Sequence, residues 1–533
     1  MNKELILVSF FVLISTLLHL RQIEFPCINS DEASFSYNAY SILKTGKDEY
    51  GSFMPTRFLA FGENKLPVTI YAIVPFIALF GMNDLTVRLP FILIGIFAPI
   101  LFYILVKKLF NNSHIALIAS FLASISPWIQ ILSRHIHEDS IMLGITIGML
   151  LILIKLHETY SNKSIVFLAI LGGIGLFTYH IGKFLAVFIL WWALYLNFRN
   201  KINQKLMIKY VLILCMPIFI FLLTEIFYPS TRVGNLLFTS NQGFTLQIEQ
   251  LRKEHDSRLL HNKLTNTISL LTRQYLSYFS PEFLVTHGDA NLRFGKEGIS
   301  PITAIEYIFV FVGIYFLFHR KEKYRYLITT LLFTAPLTAA LSWQTQSITR
   351  AYLMIIPLIS IAAYGLYQSI FVLKKSLQFV YFSGIILLIM YYSLFSWDSY
   401  FKHYTKNPDV ITAWQCGYRE LGTYIKTHYD EYNQIIVSNK YGQPYIFLLY
   451  YLAYPPKEYQ KQARLTPLDE YGFGQVEAFD QIKFSFSAPT YPIKNTLYIG
   501  LPEDFNNSGV QKHHVERISF EGKEIFWIFP KSL

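Results

Sequence analysis

Two adjacent acids, Asp31 and Glu32, follow shortly after the first hydrophobic run of the chain, residues 5–20. A carboxylate held close to a membrane surface, away from bulk solvent, is suited to act as a general base on a lipid-linked substrate. The same stretch also fits a structural interpretation, because Asn29 followed three positions later by Glu32 is a capping box that starts a helix. Acids in a first turn gain about 0.3–1 kcal/mol from the helix dipole. Taken alone, the stretch favours the structural interpretation.

The composition is that of a polytopic membrane protein. Of the 533 residues, 53% are hydrophobic and 15% are charged, whereas soluble proteins are about 25% charged. The net charge of +11 could indicate nucleic-acid binding, but the lysines and arginines lie mainly in short loops between apolar runs, where they signal membrane topology. We therefore expect no nucleic-acid partner. The three cysteines, Cys27, Cys215 and Cys416, are widely spaced and reveal neither a disulfide framework nor a CxxC metal site.

Eleven apolar runs reach or approach the length of about 20 residues that a bilayer crossing needs. They cover residues 4–20, 87–106, 114–132, 140–157, 164–180, 184–198, 208–227, 303–318, 327–342, 351–372 and 377–396. If the crossings alternate, the basic clusters between them fall on one side, which the positive-inside rule makes cytoplasmic together with the N-terminus. The first run lacks a small-residue cleavage site after Leu20, so we expect a retained anchor.

One further apolar run, residues 66–80, is kept outside this count. It is short, it contains Pro67 and Pro75, and counting it as a crossing would place Lys107 and Lys108 outside the cell. We expect a juxtamembrane or re-entrant helix on the outer face, where a protein cover or a cavity tolerates irregular backbone.

The predicted organisation is a transmembrane domain, residues 1–397, followed by a small extracytoplasmic α/β domain, residues 398–533. The first domain contains an outer loop at 21–86 with juxtamembrane helices and a long outer loop at 228–300. The tail combines one helical stretch, residues 418–428, with strand-like stretches. We expect a multi-pass protein of the plasma (inner) membrane with a cytoplasmic N-terminus and the C-terminal domain outside.

Several ionisable residues lie at the outer ends of the predicted spans, where charge is costly and usually paired or functional. The positive-inside rule disfavours the cationic ones there, and an anionic ligand at the headgroup plane would explain them. Arginine can bind two phosphate oxygens as a fork, and lysine provides a point charge. Snorkelling to lipid phosphates is the alternative for each residue. The set is Asp31, Glu32, Arg57, Glu63, Lys65, Arg88, Arg134, Glu138, Asp139, His180, Lys183 and Arg350.

Some members of this set have simpler explanations. His180 follows two aromatic residues and fits an interfacial aromatic belt. Arg134 and Glu138 are spaced for an ion pair on one helix face, worth about 0.2–0.5 kcal/mol. His135 and His137, two positions apart, do not share a helix face and are weak as a metal pair.

The order of several short motifs resembles a known family. Along the chain stand Asn29-Ser-Asp-Glu-Ala, Gly46-Lys-Asp-Glu-Tyr-Gly, Lys65-Leu-Pro, Leu79-Phe-Gly, Val87-Arg-Leu-Pro, Ser126-Pro-Trp, Thr178-Tyr-His-Ile-Gly-Lys and Tyr278-Phe-Ser-Pro-Glu-Phe-Leu. This order, which covers most of residues 1–300, resembles bacterial relatives of protein O-mannosyltransferases and aminoarabinose transferases. Residues 300–396 match that family in topology alone, and the tail matches little.

The resemblance implies a GT-C glycosyltransferase fold with its active site between the outer loops and the membrane. Such enzymes take a sugar from a polyprenyl-phosphate carrier, invert the anomeric centre and transfer the sugar to a protein, lipid or glycan acceptor. Asp31 would be the base that deprotonates the acceptor, with Glu32 beside it as the second candidate catalytic acid. Asp48 and Glu138 are the next candidates for the base.

The resemblance also implies roles for other outer residues. It places Lys65, Arg134 and Lys183 near the carrier phosphate, and two further outer arginines, Arg57 and Arg350, are added to this phosphate-binding set. The residues expected to bind substrate are Glu138, Asp139, Tyr179 and His180. Glu63 and His180 are the candidate ligands of a divalent metal, and no other cofactor is expected. The family often has an acid directly before Lys-Pro-Pro, whereas here Asn64 precedes Lys65 and Leu66 replaces the first proline, which counts against that metal.

A transporter or flippase of a lipid-linked saccharide is the alternative from another class. It would place binding groups near the bilayer midplane, on broken helices or in inverted repeats. Here the charges cluster at one face and no internal repeat is visible. An assembly protein whose tail binds a partner is the third alternative. The sequence favours the enzyme and leaves the sugar, the acceptor and the carrier length open.

Overall fold

The computed structural model describes residues 3–228, 242–254, 262–296, 298–342, 346–467, 474–485, 494–505 and 515–529. Parts of the predicted outer loop at 228–300 therefore lie outside the described residues. The chain divides into two compact units, and each is built from two separate stretches. The first unit comprises Met1–Gln22 and Phe91–Lys402, and the second comprises Ile23–Pro90 and His403–Leu533.

The elements follow one another along the chain in this order. Up to residue 110 they are α1 (Lys3–Leu20), α2 (Ser30–Thr45), β1 (Phe58–Ala60), β2 (Glu63–Lys65), α3 (Pro67–Phe80) and α4 (Asp84–Phe110). Up to residue 277 they are α5 (Ser113–Ile125), α6 (Pro127–Ser133), α7 (Glu138–Glu158), α8 (Asn162–Leu176), α9 (Ile181–Arg199), α10 (Gln204–Phe227), α11 (Gln242–Glu254) and α12 (Lys263–Ser277). Up to residue 398 they are α13 (Ala304–His319), α14 (Arg325–Thr334), α15 (Leu337–Ala340), α16 (Ile355–Ile370) and α17 (Lys375–Asp398).

The tail contributes both helices and strands. The helices are α18 (Pro408–Ala413), α19 (Tyr418–His428), α20 (Pro444–Tyr451) and α21 (Pro456–Gln462). The strands are β3 (Gln434–Ser438), β4 (Arg464–Leu465), β5 (Val476–Phe479), β6 (Ile482–Ser485), β7 (Thr496–Gly500), β8 (Glu516–Phe520) and β9 (Lys523–Phe529).

Within the described residues, seven helices are long and apolar enough to cross a membrane, and the bent pair α5–α6 makes an eighth. The seven are α1, α4, α7, α9, α10, the segment Tyr352–Ile370 that ends in α16, and the segment Lys375–Tyr404 that begins with α17. Shorter apolar helices are α3, α8 and α13. Each of the eleven predicted spans coincides with one of these helices or with α14 and α15. The predicted polytopic helical fold is therefore confirmed, although the length criterion counts seven or eight spans and not eleven.

Small residues allow helices α13 and α16 to pack closely in the first unit. A Cβ added at Gly313 would collide with the backbone oxygen of Ile361, and one added at Gly365 would collide with that of Phe309. Membrane helices pack through such contacts, because lipid offers no hydrophobic driving force for their association. A larger side chain at either glycine would separate the two helices.

The second unit contains a seven-stranded mixed sheet with the strand order β4-β5-β6-β3-β7-β9-β8. Strand β3 runs parallel to β6 and β7, and the remaining pairs are antiparallel. The α/β character predicted for the tail is confirmed. The predicted boundary after residue 397 separates the tail from everything before it, whereas the second unit combines the tail with Ile23–Pro90.

A disulfide joins Cys27 to Cys416 across 389 positions of the sequence, with a Cα–Cα distance of 5.3 Å. The spacing of three distant cysteines revealed no disulfide framework, and the structure shows that two of them are nevertheless bonded. Cys215 is the free cysteine.

We expect the denatured, unreduced protein to react with one equivalent of a thiol reagent, and with three equivalents after reduction, because one pair is bonded. Quantitative alkylation followed by mass spectrometry measures both numbers. The Cys27→Ser variant is the control and should show two reactive thiols without reduction. Three reactive thiols in the unreduced wild type would contradict the pairing.

Candidate active site

Helix α2 begins with a capping box centred on Asn29. The side-chain oxygen of Asn29 accepts hydrogen bonds from the amides of Asp31 and Glu32 at 2.9 and 3.1 Å. In return, the Glu32 carboxylate accepts a hydrogen bond from the Asn29 amide at 3.3 Å. The capping box predicted from the sequence is therefore confirmed.

Glu32 is fully buried against Arg88. The guanidinium donates from Nε to Glu32 Oε1 at 2.8 Å and from Nη2 to Oε2 at 2.7 Å, which is a bidentate ion pair. Nη1 also donates to the Pro26 carbonyl at 2.7 Å. The exposed side-chain fractions are 1% for Arg88 and 0% for Glu32. Of the two candidate catalytic acids, Glu32 thus has the surroundings of a structural residue that fixes the start of α2.

Asp31 lies one position earlier and has a different environment. Its side chain is 50% exposed, and its Oδ1 accepts a hydrogen bond from Lys65 Nζ at 2.8 Å. The Lys65 side chain is only 5% exposed, and its ammonium lies 4.4 Å from the ring centre of Phe35 and 5.1 Å from that of Phe61. Such contacts between a cation and an aromatic face hold the ammonium in place. An accessible carboxylate and a fixed cation therefore lie side by side.

A tight hairpin places Lys65 in this position. Strands β1 and β2 are antiparallel, with Phe58 opposite Lys65. Their two-residue connection, Phe61 and Gly62, has φ angles of 52° and 77°, and positive φ at both central residues is typical of a type I′ hairpin turn. Helix α3 then begins at Pro67, a residue suited to the first helical position. Lys65 thus ends the hairpin two positions before α3 begins.

The candidate metal ligands lie in different units of the chain. Glu63 begins strand β2 opposite Ala60 in the second unit, and His180 precedes α9 in the first. Among the described residues, no group of three or more His, Cys, Asp and Glu side chains is arranged to hold a metal ion. The metal site stays a prediction.

Arg57, predicted to bind phosphate, is buried directly before β1.

Glu49 is a buried acid that the sequence interpretation did not single out. Its Oε1 accepts a hydrogen bond from Asn38 Nδ2 on helix α2 at 3.1 Å, and its amide donates to Asn38 Oδ1 at 3.0 Å. Burial raises the pKa of Glu49 to about 8, so this carboxyl is mainly protonated at neutral pH. The motif Gly46-Lys-Asp-Glu-Tyr-Gly was the signal that could have identified it.

Asp48, the neighbour of Glu49, organises a turn. Its Oδ1 accepts hydrogen bonds from the amides of Tyr50 and Ser52 at 3.0 and 2.8 Å. An aspartate that bonds to amides two and four positions later is typical of a loop that it stabilises locally. These bonds make Asp48 a poor alternative to Asp31 as the base.

In the first unit, Arg134 caps the end of helix α1. Its Nη1 donates to the carbonyls of Leu18 and His19 at 2.7 and 2.9 Å. Its Nη2 donates to the carbonyls of Arg21 and Gln22 at 2.7 and 3.0 Å. The last carbonyls of a helix have no partner within the helix, and Arg134 provides one. Four of its N–H groups therefore have a structural role, and its predicted contact with a donor phosphate stays a prediction.

Three of the four predicted substrate-binding residues, Glu138, Asp139 and Tyr179, lie next to His137 in the first unit, and the fourth, His180, lies next to Tyr179. His137 Nδ1 lies 3.1 Å from Asp139 Oδ2 and 3.7 Å from Glu138 Oε2. The ring of Tyr179 lies 5.7 Å from that of His137 and 6.0 Å from that of His180. Asp139 is fully buried. The sequence analysis judged His137 weak as a metal ligand paired with His135 and did not predict its contacts with Glu138 and Asp139.

The helix breaks between Arg134 and Glu138, because α6 ends at Ser133 and α7 begins at Glu138. These two residues therefore do not share one helix face, and the interpretation of their spacing as an ion pair within a helix is wrong. Instead, Arg134 follows α6, whereas Glu138 occupies the first turn of α7.

The last two candidate phosphate ligands, Lys183 and Arg350, have protein partners in the first unit. Lys183 Nζ lies 3.9 Å from Glu225 Oε1 and 5.1 Å from the ring centre of Phe221. Arg350 donates a hydrogen bond to Ser342 Oγ. Lys65 belongs to the second unit, so the convergence of the cations on one phosphate stays a prediction.

Comparison with known proteins gives a match to one family. Residues 64–223 match the family described as dolichyl-phosphate-mannose-protein mannosyltransferase. The matched segment contains Lys65, Arg134 and Lys183 and begins after Asp31. A search of curated protein sequences finds no significant match.

Solved structures resemble the chain over a larger part of its length. One match is the structure of ArnT from Cupriavidus metallidurans bound to undecaprenyl phosphate, with 11% sequence identity and a TM-score of 0.55. The match covers 98% of this chain and 97% of the ArnT chain. The apo state of the same protein gives the same values. AglB, the oligosaccharyltransferase of Archaeoglobus fulgidus in complex with an inhibitory peptide and a dolichol-phosphate, is 13% identical, covers 84% of this chain and 64% of its own, and has a TM-score of 0.49. The chain therefore has the fold of ArnT over nearly its whole length, and its predicted resemblance to the protein O-mannosyltransferase family is confirmed for residues 64–223.

Proposed function

We propose that the chain is an inverting glycosyltransferase that moves a sugar from a polyprenyl-phosphate carrier to an acceptor hydroxyl at the outer face of the membrane. The observation that carries the proposal is the 2.8 Å contact between Asp31 Oδ1 and Lys65 Nζ. Transfer needs a base for the acceptor hydroxyl and a cation for the departing phosphate. The sequence predicted Asp31 as the base and Lys65 as one of five phosphate-binding cations, and these two residues are in contact although 34 positions separate them.

In this scheme Asp31 accepts the proton of the acceptor hydroxyl. The oxygen of that hydroxyl forms a bond to the anomeric carbon, while the bond from this carbon to the phosphate oxygen breaks and its electron pair leaves with the phosphate. A single base and no covalent intermediate give inversion at the anomeric carbon. The half-exposed carboxylate of Asp31 suits this role, because a substrate can reach it.

Lys65 stabilises the departing phosphate. Its ammonium carries three N–H donors, and the contact with Asp31 occupies one of them. An ammonium paired with Asp31 can therefore still donate a hydrogen bond to a phosphate oxygen. The rings of Phe35 and Phe61 shield the ammonium from water, and charges interact more strongly where water is excluded.

The comparisons support the class of donor. The family that matches residues 64–223 is named for a dolichyl-phosphate-mannose donor and a protein acceptor, and the structure of ArnT contains undecaprenyl phosphate. We infer a polyprenyl-phosphate sugar as the donor. A hexose or a pentose is compatible with this donor class, and a protein, a lipid or a glycan is compatible as the acceptor.

The disulfide supports the outer-face location. Disulfides persist in oxidising compartments and are rare in the cytosol. Cys27 and Cys416 both belong to the second unit, so we place this unit outside the cytoplasm, with the N-terminus inside and the spans in the plasma (inner) membrane. We retain residues 398–533 as an extracytoplasmic α/β domain and residues 1–397 as the transmembrane domain.

Reconstitution in vesicles distinguishes the enzyme from a flippase of a lipid-linked saccharide. Vesicles containing the protein receive a donor with a radiolabelled sugar, together with a mixed acceptor fraction. We expect the label to leave the carrier and to appear on the acceptor. Movement of intact donor across the bilayer without cleavage would instead support the flippase.

Lys65→Met should weaken donor binding by about 1.5–3 kcal/mol, the usual contribution of a hydrogen bond to a charged group, or a factor of about 10 to 150 in Kd. Titration calorimetry with undecaprenyl phosphate measures the change. Lys44→Met is the matched control, because Lys44 lies in the last turn of α2 and also approaches an aromatic ring, that of Tyr40 at 5.6 Å. Equal Kd values for Lys65→Met and the wild type would remove Lys65 from the phosphate site.

A further inference from the structure

The end of helix α18 has an unusual residue at its terminus. The amide of Gln415 donates to the Thr412 carbonyl at 3.0 Å, and the amide of Cys416 donates to the Ile411 carbonyl at 3.1 Å, which is a Schellman motif. Gln415 has a φ of 54°, in the left-handed region. Glycine is the usual residue at this position, because a Cβ is unfavourable there. A glutamine at such a site indicates that its side chain makes a contact that glycine, which has no side chain, could not make.

That side chain reaches the first residue of helix α2. Gln415 Oε1 accepts a hydrogen bond from the amide of Ser30 at 3.0 Å, and the first amides of a helix have no partner within the helix. Asn29 Oδ1 already accepts the next two amides, those of Asp31 and Glu32. Gln415 thus completes the cap of the turn that carries Asp31.

The residue after Gln415 makes a second connection to the same segment. Cys416 is bonded to Cys27, three positions before Ser30. Two consecutive residues of the tail therefore hold the segment before Asp31, one through a covalent bond and one through a hydrogen bond. The Gln415 side chain is itself tightly packed, because a Cβ added at Gly442 would collide with its Nε2.

We propose that Gln415 is a positioning residue for Asp31, and that the tail is therefore part of the catalytic unit. The proposal rests on the proposed function, because it concerns the direction in which the Asp31 carboxylate faces an acceptor hydroxyl. A general base must lie within hydrogen-bond reach of the proton that it takes. Loss of the hydrogen bond from the Ser30 amide to Gln415 would loosen the first turn of α2 and turn the Asp31 carboxylate away from that proton.

Three variants test the proposal. Gln415→Leu removes the acceptor at similar size, and Gln415→Glu keeps an acceptor oxygen. Gln481→Leu is the matched control, because it removes another hydrogen bond from a glutamine side chain to the backbone of the second unit, from Gln481 Nε2 to the Tyr429 carbonyl at 2.6 Å. We expect Gln415→Leu to lower kcat at least about tenfold, since small misplacements of reacting groups cost factors up to about 100. The KM for the donor should stay unchanged, and Gln415→Glu should recover most of kcat.

Amide hydrogen exchange of the substrate-free protein supplies a readout that is independent of turnover. In Gln415→Leu, we expect the amides of Ser30, Asp31 and Glu32 to exchange about tenfold faster, as loss of one ordinary hydrogen bond allows. In Gln415→Glu and Gln481→Leu, these amides should exchange as in the wild type.

The outcomes separate the two proposals. If these amides exchange normally in Gln415→Leu, Gln415 does not fix the first turn and the inference is wrong. Faster exchange with an unchanged kcat would reduce Gln415 to a helix cap and overturn its catalytic part. Equal losses of kcat in Gln415→Leu and Gln481→Leu would indicate general destabilisation and also overturn it. A wild-type protein that transfers no sugar from any polyprenyl-phosphate donor would overturn the proposed function itself, and the inference with it.

Discussion

Asp31→Asn is expected to lower sugar transfer by a factor of about 100–10,000, the usual share of general base catalysis. The amide keeps the shape of the carboxylate and its oxygen can still accept the hydrogen bond from Lys65 Nζ, but it cannot take up a proton. Donor binding and expression should therefore survive. Turnover with a verified donor and acceptor measures the first effect, and titration with undecaprenyl phosphate checks that the donor still binds.

Asp48→Asn is the matched control for this change. Asp48 lies in the same stretch of the second unit as Asp31, but its carboxylate accepts hydrogen bonds from the amides of Tyr50 and Ser52, and an amide oxygen can accept both bonds. We expect near-normal turnover, because the change keeps both hydrogen bonds of this buried turn and lies away from the proposed proton transfer. Near-normal turnover of Asp31→Asn would mean that Asp31 only starts helix α2, and Glu138 would then be the next candidate for the base.

Arg88→Met should destabilise the protein by about 3–5 kcal/mol, because it leaves the buried Glu32 carboxylate without its counter-charge. Both oxygens of Glu32 bond to this one guanidinium, and neither side chain has water access that could compensate. The shift of the thermal unfolding midpoint in detergent measures the effect. The double variant Glu32→Gln/Arg88→Met removes both charges and should recover most of the lost unfolding temperature. Removing a whole buried ion pair costs far less stability than leaving one of its charges buried without a partner.

Glu32→Gln alone should lower stability more than it lowers turnover per folded molecule. Glu32 caps α2 and pairs with Arg88, so its loss acts on the helix start and not on proton transfer. A midpoint for Arg88→Met equal to that of the wild type would show that the ion pair is dispensable. A loss of turnover in Glu32→Gln as large as in Asp31→Asn, at equal stability, would return Glu32 to the catalytic residues.

The features that could be predicted from the sequence are local ones. Asn29 and Glu32 form the predicted capping box because both partners lie within one turn of the chain. The apolar runs became helices because the length of a span is itself a local property. The contact between Asp31 and Lys65 was not predicted. The family resemblance implied a role for each residue but not that their side chains would touch.

The features that could not be predicted depend on distant partners. Spacing does not reveal that Cys27 pairs with Cys416 across 389 positions. Arg134 was predicted to contact a phosphate from its position at the end of a span and from the family resemblance, whereas its carbonyl partners at the end of α1 became visible only in the folded chain. Gln415 has no signal in the sequence, since its hydrogen bond to Ser30 joins residues 385 positions apart.

Release of the carrier phosphate tests the central claim most directly. The purified protein is incubated with a panel of polyprenyl-phosphate sugars and a mixed acceptor fraction, and the free polyprenyl phosphate is quantified together with the sugar that reaches the acceptor. We predict that at least one donor releases its carrier in equal amount to the sugar transferred and that the product has the inverted anomeric configuration. Asp31→Asn should lower the rate of release by a factor of about 100–10,000. No release from any donor, or release at the same rate in Asp31→Asn, would contradict the assignment of Asp31 and Lys65 as the reaction centre.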